Sequence, residues 1–434
     1  MAKIQLKSDN ITPFGGLYSI FNQFNRSGVR ETVDSFLGRR SLDPKAFSYG
    51  DVFASLFANY LCGGDCIEDV MDIKNFWDGH DNIRIASSDT IERALRGLSC
   101  DNTTYMNDNN VAYDFNTADK LNSLMLRLLK TTKQLNPGDC IDLDFDHQFI
   151  ACDKKDSKYS YKKAEGYFPG VATVGGLIVG IENRDANTNV KFHQADTLKR
   201  IIERLEIESR VVIRNFRADC GSYSEAIIGY VKDHCEHFYI RANNCQSRRT
   251  EFMEHTDWTP VHISGMDCDV ASFKFDSFIP EENLRLVVQR TKLSEEDPAA
   301  ESEGLFGTEY VYRCIVTNDW SNSEKDIIAY YNKRGASDAT STARTTTSAG
   351  PISRSRISRK TLFSCWLRPC SRTFTCTSFR PSALQSRVLT SRTGSSASSA
   401  SSSPPPPNGS VPAGKRCSTY THDDKSTSFY SVKS

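Results

Sequence analysis

The sequence predicts a mixed α/β (α+β) chain in three successive blocks, and three observations carry that prediction. Apolar residues recur at helical spacing up to about residue 135, alternate with a period of two from Gly138 onward, and lose the helical pattern between about Asn243 and Asn318. The 434 residues allow two or three domains, and 38% hydrophobic content supports a buried core.

In the first block, Phe47-Ser48-Tyr49-Gly50-Asp51 opens a helix that runs to Leu61. Asp65-Cys-Ile-Glu68 has capping-box spacing ahead of a helix toward Phe76, and Asp89-Thr-Ile-Glu92 starts another toward Leu98. Asn116-Thr-Ala-Asp119 caps a longer helix with Leu121, Leu124, Leu128 and Leu129 on one face. Short helices ahead of a strand-rich core suit a DNA-binding module and equally a plain helical bundle.

In the second block, Ile141-Asp142-Leu143-Asp144-Phe145-Asp146-His147 reads as a strand with three aspartates on one face and apolar residues on the other. Tyr159-Ser-Tyr161 follows, then Val171–Val174 and Leu177–Ile181, divided by the hairpin signal Gly175-Gly176. An amphipathic helix from about Ala195 to Ile207 leads to a strand at Arg210–Arg214, a helix from Ser222 to His234 and a strand at Phe238–Arg241. Three strands, a helix and a further strand, with carboxylates at two strand ends, is the layout of a ribonuclease H-like sheet. Beyond Asn243, the segments at 261–264, 268–275, 284–289 and 310–316 alternate as antiparallel strands, and a helix starts at Ser323. The division that results is a helical N-terminal domain (1–135), a core (136–242), an all-β insertion (243–318), a helix closing the core (319–338) and a low-complexity tail (339–434).

The formal net charge of zero hides a split: from Ala339 onward there are 14 Lys+Arg and 2 Asp+Glu, leaving 40 and 52 in residues 1–338. An acidic body is not the usual charge of a nucleic-acid binder, so any such contact must come from local basic patches. The 14 cysteines have no C-x-x-C pair, and Cys62-Gly-Gly-Asp-Cys66 lacks a second half-site, which points to reduced packing thiols rather than zinc. With no bilayer-length apolar run and no signal-peptide pattern at Met1, the expectation is a soluble cytoplasmic protein without membrane contact.

Residues 339–422 contain no Asp or Glu and are dominated by Ser, Thr, Arg and Pro. A disordered basic tail is the ordinary reading. A reading-frame error near codon 338 accounts for more: with free codon choices, Arg359–Ser378 can be decoded one base back as an amphipathic helix. Sequencing the gene across codon 338 tests this.

Like charges stacked on one strand face are unfavourable without a counter-charge, and a divalent cation is the usual one. Two-metal phosphoryl transfer needs three or four carboxylates that converge from distant positions. Asp146 is the first candidate, with Asp144 its fallback; Asp219, after a strand and before a glycine turn, is the second. Tyr331, Arg334 and Asp338 share one face of the last helix, offering a third acid beside two groups able to hold a DNA phosphate, with Lys333 between them. His147 could assist, although a strand histidine of this kind is more often structural. Lys158, Lys162, Lys163, Arg241, Arg248 and Arg249 are further candidate phosphate contacts.

At these residues the chain resembles the DDE transposases of bacterial insertion sequences, specifically the IS1380-like group with a ribonuclease H-like core. The matching stretches are Asp144-Phe-Asp-His-Gln-Phe-Ile, Gly166-Tyr-Phe-Pro-Gly-Val, Glu182-Asn-Arg-Asp-Ala-Asn-Thr, Arg217-Ala-Asp-Cys-Gly-Ser and Tyr330-Tyr-Asn-Lys-Arg-Gly, with Thr12-Pro-Phe-Gly-Gly near the start. The resemblance covers residues 1–338. It implies Asp146 and Asp219 as the first two catalytic acids, two Mg²⁺ or Mn²⁺ ions, DNA (element ends and target) as partner, a DNA-binding role for residues 1–135 and a second copy of the chain. The implied reaction is cleavage at the 3′ ends of the element, then attack of the freed 3′-OH on target DNA. The family's third acid is Glu, seven residues after the motif Tyr; here that position is Asp338. The proposed frameshift converts such a Glu codon to Asp and removes the C-terminal helices. An Asp there reaches about one bond, roughly 1.5 Å, less far, against a tolerance of ~0.5 Å in a preorganised site. An impaired transposase is therefore expected, with a silent DNA-end-binding protein and a ribonuclease H-like nuclease as the alternatives.

Overall fold

The computed structural model describes residues 14–64, 66–77, 83–152, 154–243, 245–292 and 309–334. Asp65, Asp338 and the tail from Ala339, with the expectations placed on them, lie outside the described residues.

Five helices open the chain: α1 (Leu17–Arg26), α2 (Val29–Leu37), α3 (Tyr49–Leu61), α4 (Val70–Trp77) and α5 (Ser88–Gly97). The start of α3 follows its sequence signal, because Ser48 and Asp51 form a reciprocal capping box. Between α5 and α6 (Asp119–Thr131) the chain makes a hairpin, β1 (Thr103–Met106) and β2 (Ala112–Asn116), inside a block expected to be helical throughout. β1 is mostly exposed and only Phe115 and Asn116 of β2 are buried, too short a buried run to stand out as a strand in the sequence.

The core strands are β3 (Cys140–His147), β7 (Gly170–Val174), β8 (Leu177–Arg184), β9 (Val212–Ala218) and β10 (His237–Arg241). They lie in the order β8-β7-β3-β9-β10. The β7–β8 and β3–β7 pairs are antiparallel, whereas β3–β9 and β9–β10 are parallel. Gly175 and Gly176 both take positive φ and turn β7 into β8. The parallel pairs need crossovers, supplied by α7 (Gln194–Arg204) before β9 and α8 (Glu225–Val231) before β10.

β2 pairs with β8 for only two residues, Phe115 with Arg184 and Asn116 with Asn183. Asn122 of α6 then continues the edge: its amide accepts from Ile181 N at 3.0 Å and donates to Ile181 O at 2.8 Å, as a strand peptide would. The N-terminal helices share one contiguous hydrophobic core with this sheet.

Strands β11 (Thr259–Ile263), β12 (Met266–Phe275), β13 (Leu284–Lys292) and β14 (Tyr310–Thr317) are antiparallel, as expected. They do not form a sheet of their own. β14 pairs with β10 and extends the core sheet to 11 strands. A separate three-stranded sheet comprises β4 (Ile150–Ala151), β6 (Glu165–Tyr167) and β5 (Lys158–Tyr159), in the connection from β3 to β7.

The last described helix, residues 324–334, buries Ile327, Ile328, Tyr331 and Arg334 at helical spacing. It covers one face of the extended sheet, packing with Tyr239, Val270, Val287 and Ile315. Asp319 fixes the turn that launches it. One Asp319 oxygen accepts from Ser321 N, Ser321 Oγ and Asn322 N; the other accepts from Asn322 Nδ2 and Tyr239 Oη. Burial alone would push this carboxyl up, but these donors together hold it well below the usual carboxylate range. Asp319→Ala is expected to lose about 2–3 kcal/mol in a urea titration, the scale of a hydrogen-bonded charge. Because the folded pKa is depressed, that contribution is present above pH ~4 and fades as the pH falls further, so wild type and variant converge in acid.

Candidate active site

The side chains that matter here stem from the parallel contact between β3 and β9. At its start, Cys140 lies beside Val212 and Ile141 beside Ile213; the register then slips by one, so that Asp142 meets Asn215 and Asp144 meets Arg217. In effect Arg214 is a bulge. Without it, Asp144 would share its side of the sheet with Phe216. With it, Asn215 and Arg217 stand on the aspartate face, and the paired register ends at Phe145 and Ala218, the residues that directly precede Asp146 and Asp219. Adjacent strands lie about 4.8 Å apart, so Asp146 and Asp219 each follow directly from one of two neighbouring strand positions.

The three aspartates have different surroundings. Asp142 accepts from Asn215 Nδ2 at 2.8 Å. Asp144 is buried and gives both oxygens to Arg217, at 2.6 and 2.8 Å from Nε and Nη2. Burial raises the Asp144 carboxyl and the Arg217 contacts pull it back only in part, while the same contacts hold Arg217 charged. The bidentate geometry favours an ionised pair at neutral pH. Asp144, the fallback first acid, is thus occupied by protein. Asp146 keeps a third of its side chain exposed; one oxygen accepts from His147 N at 2.8 Å and the other meets Arg334 Nη2 at 3.1 Å. Asp219 is half-buried and caps a short 3-10 turn, with Oδ1 accepting from Gly221 N at 2.9 Å.

The 324–334 helix closes over this pair. Tyr331 is buried and donates its hydroxyl to Ala218 O at 3.2 Å, on the peptide that precedes Asp219; burial raises its pKa to about 12. Arg334 is buried beside Asp146 and reaches Phe145 O at 3.5 Å. Both residues, expected to hold a DNA phosphate, contact the ends of β3 and β9 and also line the cleft beside Asp219. Lys333 falls on the exposed side of the helix. Beside Asp219 and Tyr331 an open cleft of about 500 Å³ is lined by Arg241, Asn243, Arg313 and Arg334. Three arginines against one aspartate suit a phosphodiester. Arg241 was expected from sequence and Arg313 was not; its strand position gave no signal. Arg248 is tied to Glu251 and to Lys274 O, and Arg249 is only partly exposed.

His147 points to the opposite face, stacked on Phe168 at 5.9 Å and edge-on to Phe145 at 5.2 Å. Burial holds its pKa well below the ordinary value, so it is neutral and structural. The unfolded chain gains a proton near pH 6.5 that the folded chain refuses, so stability drops as pH falls below that value. His147→Phe is expected to flatten this loss, which is up to ~1.4 kcal/mol per pH unit in urea midpoints collected between neutral and mildly acid pH.

Hard carboxylate oxygens just past two neighbouring strand positions, one side chain a third exposed and the other with an Oδ2 that no described hydrogen bond uses, fit an oxygen-preferring divalent cation. Among the described residues no group of three His, Cys, Asp or Glu side chains converges, and the third expected acid, Asp338, is outside them. No helix among the described residues is long and apolar enough to cross a membrane. A scan against protein-family models and a search of curated proteins found no match for this chain.

Proposed function

We propose that this chain is a DDE-type DNA transposase by descent, with a ribonuclease H-like core, acting through Asp146 and Asp219. The observation that carries the reading is the bulged β3–β9 register, which ends on the residues just before Asp146 and Asp219 and, continued by one residue, would set the two acids side by side, under a helix whose Tyr331 and Arg334 contact both strand ends. The strand order β8-β7-β3-β9-β10, with its antiparallel and parallel halves, supports a core of that kind. The basic cleft supports a phosphodiester substrate.

Mg²⁺ or Mn²⁺, when bound by Asp146 and Asp219, supplies Lewis acidity and neutralises charge at the reacting phosphate. The chain's own residues prepare for that chemistry. Tyr331 and Arg334 fix the direction of the acids, while Arg241 and Arg313 draw the DNA backbone into the cleft and offset its charge. Cleavage is an in-line displacement: water oxygen bonds to phosphorus, the bond to the 3′ oxygen breaks, and a 3′-OH is released. In joining, that 3′ oxygen attacks a target phosphorus and displaces the target's own 3′ oxygen. Asp338 in place of Glu predicts weak activity in this product.

The test is incubation of purified chain with duplexes that carry the element ends, in Mg²⁺ or Mn²⁺, with nicked and joined strands resolved on a denaturing gel. Nicking and joining is the expected result. End binding without nicking would instead favour a silent binding protein, and cleavage without joining a nuclease.

A further inference from the structure

Four residues after Asp146 the chain enters the small sheet of β4, β5 and β6, whose β5–β6 hairpin has a composition unlike the rest of the acidic body. Residues 154–163 include five lysines, and Lys155, Lys158, Lys162 and Lys163 are exposed. Tyr159 and Tyr161 are 64% and 69% exposed, although an aromatic ring gains most from burial. The nearby acids are engaged locally: Asp156 accepts from Tyr167 Oη at 2.8 Å and Glu165 from Ser157 Oγ at 3.1 Å. The turn is ordered from within, with Ser160 N bonded to Ala164 O and Lys163 N to Ser160 O, both at 2.9 Å. Lys162 Nζ lies 4.9 Å from the Tyr161 ring centre.

The hairpin is also joined to the candidate site. Tyr161 packs on Phe168 at 5.8 Å, Phe168 stacks on His147, and His147 follows Asp146 in β3. A row of rings therefore runs from the exposed tip to the strand that presents the acid.

We propose that the β5–β6 hairpin is a binding surface for single-stranded DNA, with unpaired bases stacking on Tyr159 and Tyr161 and the phosphates paired with Lys158, Lys162 and Lys163. Exposed rings interleaved with lysines match what an unpaired strand offers and a duplex hides: π-faces and a flexible anionic backbone. Lys162 leaves the Tyr161 ring for a phosphate as a base takes its place. That this strand is the one leaving the Asp146–Asp219 site rests on the function proposed above; the binding itself does not.

Fluorescence anisotropy of the full chain with a labelled oligothymidylate, and with a duplex of equal length, tests the surface. Tyr159→Ala/Tyr161→Ala is expected to weaken the single strand about tenfold per ring lost (about 1.4 kcal/mol each) and to leave the duplex nearly unchanged. Changing Lys158, Lys162 and Lys163 together to Gln should lower the salt slope for the single strand by about 2. Both substitutions are at exposed positions, and circular dichroism verifies the fold. Absent binding to the oligothymidylate, unaltered single-strand affinity in the tyrosine variant, or an equal loss on the duplex each overturns the proposal. A chain that binds through the two rings yet never cleaves refutes the proposed reaction and leaves this surface standing.

Discussion

Asp146→Asn and Asp219→Asn should each reduce Mg²⁺- or Mn²⁺-dependent strand cleavage by roughly 10³-fold, on the order of 4 kcal/mol of lost transition-state stabilisation. Asn keeps the shape of Asp but removes the charge that a divalent cation requires, so the loss falls on chemistry rather than on folding. Asp146 is partly open to solvent and Asp219 is half-buried, so thermal melting should shift little. Asp142→Asn is the discriminating control. In sequence it is the equal of Asp146, two strand steps away on the same face. In the fold it meets Asn215 and stands away from the strand end, so cleavage should change by no more than a few-fold. The measurement is single-turnover nicking, with each variant also made in an Asp338→Glu background to raise the baseline. Equal losses in all three variants would refute the assignment, as would full activity in Asp219→Asn.

Much of this arrangement was legible in the residues because it obeys short periods. Alternation along Ile141–His147 announced a strand with one buried face, Gly175-Gly176 announced the β7–β8 hairpin, and Ser48 with Asp51 announced a helix start. What escaped depends on pairing between distant segments. The β1–β2 hairpin and the joining of β14 to β10 are edge choices, and no local pattern encodes which edge a strand will find. The bulge at Arg214 is a single extra residue whose effect is visible only across the β3–β9 contact. Tyr331 and Arg334 were correctly placed on one helix face. What spacing did not reveal is that this face is the buried one, with Tyr331 Oη on Ala218 O and Arg334 reaching Phe145 O. Arg217 was quoted only as a neighbour of Asp219; its partner lies 73 residues earlier, and sequence spacing gives no hint of it.

That partnership makes Arg217 the position where a substitution should be most damaging to the fold. Arg217→Met retains much of the stem but leaves Asp144 buried without its counter-charge, a loss of about 3–5 kcal/mol. It also removes the guanidinium that donates to Tyr330 O at 2.9 Å and lies 4.6 Å from the Tyr330 ring, two contacts that hold the 324–334 helix on the sheet. Asp144→Leu/Arg217→Met should recover most of the stability, because an apolar pair needs no charge compensation, but not the tether to Tyr330. The pH dependence separates these contributions. Without Arg217, the folded-state pKa of Asp144 rises further above its unfolded value, so the folded form gains by taking a proton. The single variant's deficit is then greatest at neutral pH and shrinks as the pH falls through that raised pKa, whereas the double variant has no such dependence. Urea titrations of the three proteins at neutral and acid pH decide the matter. A pH-independent deficit in Arg217→Met would mean that the lost helix contacts, and not the stranded carboxylate, carry the cost.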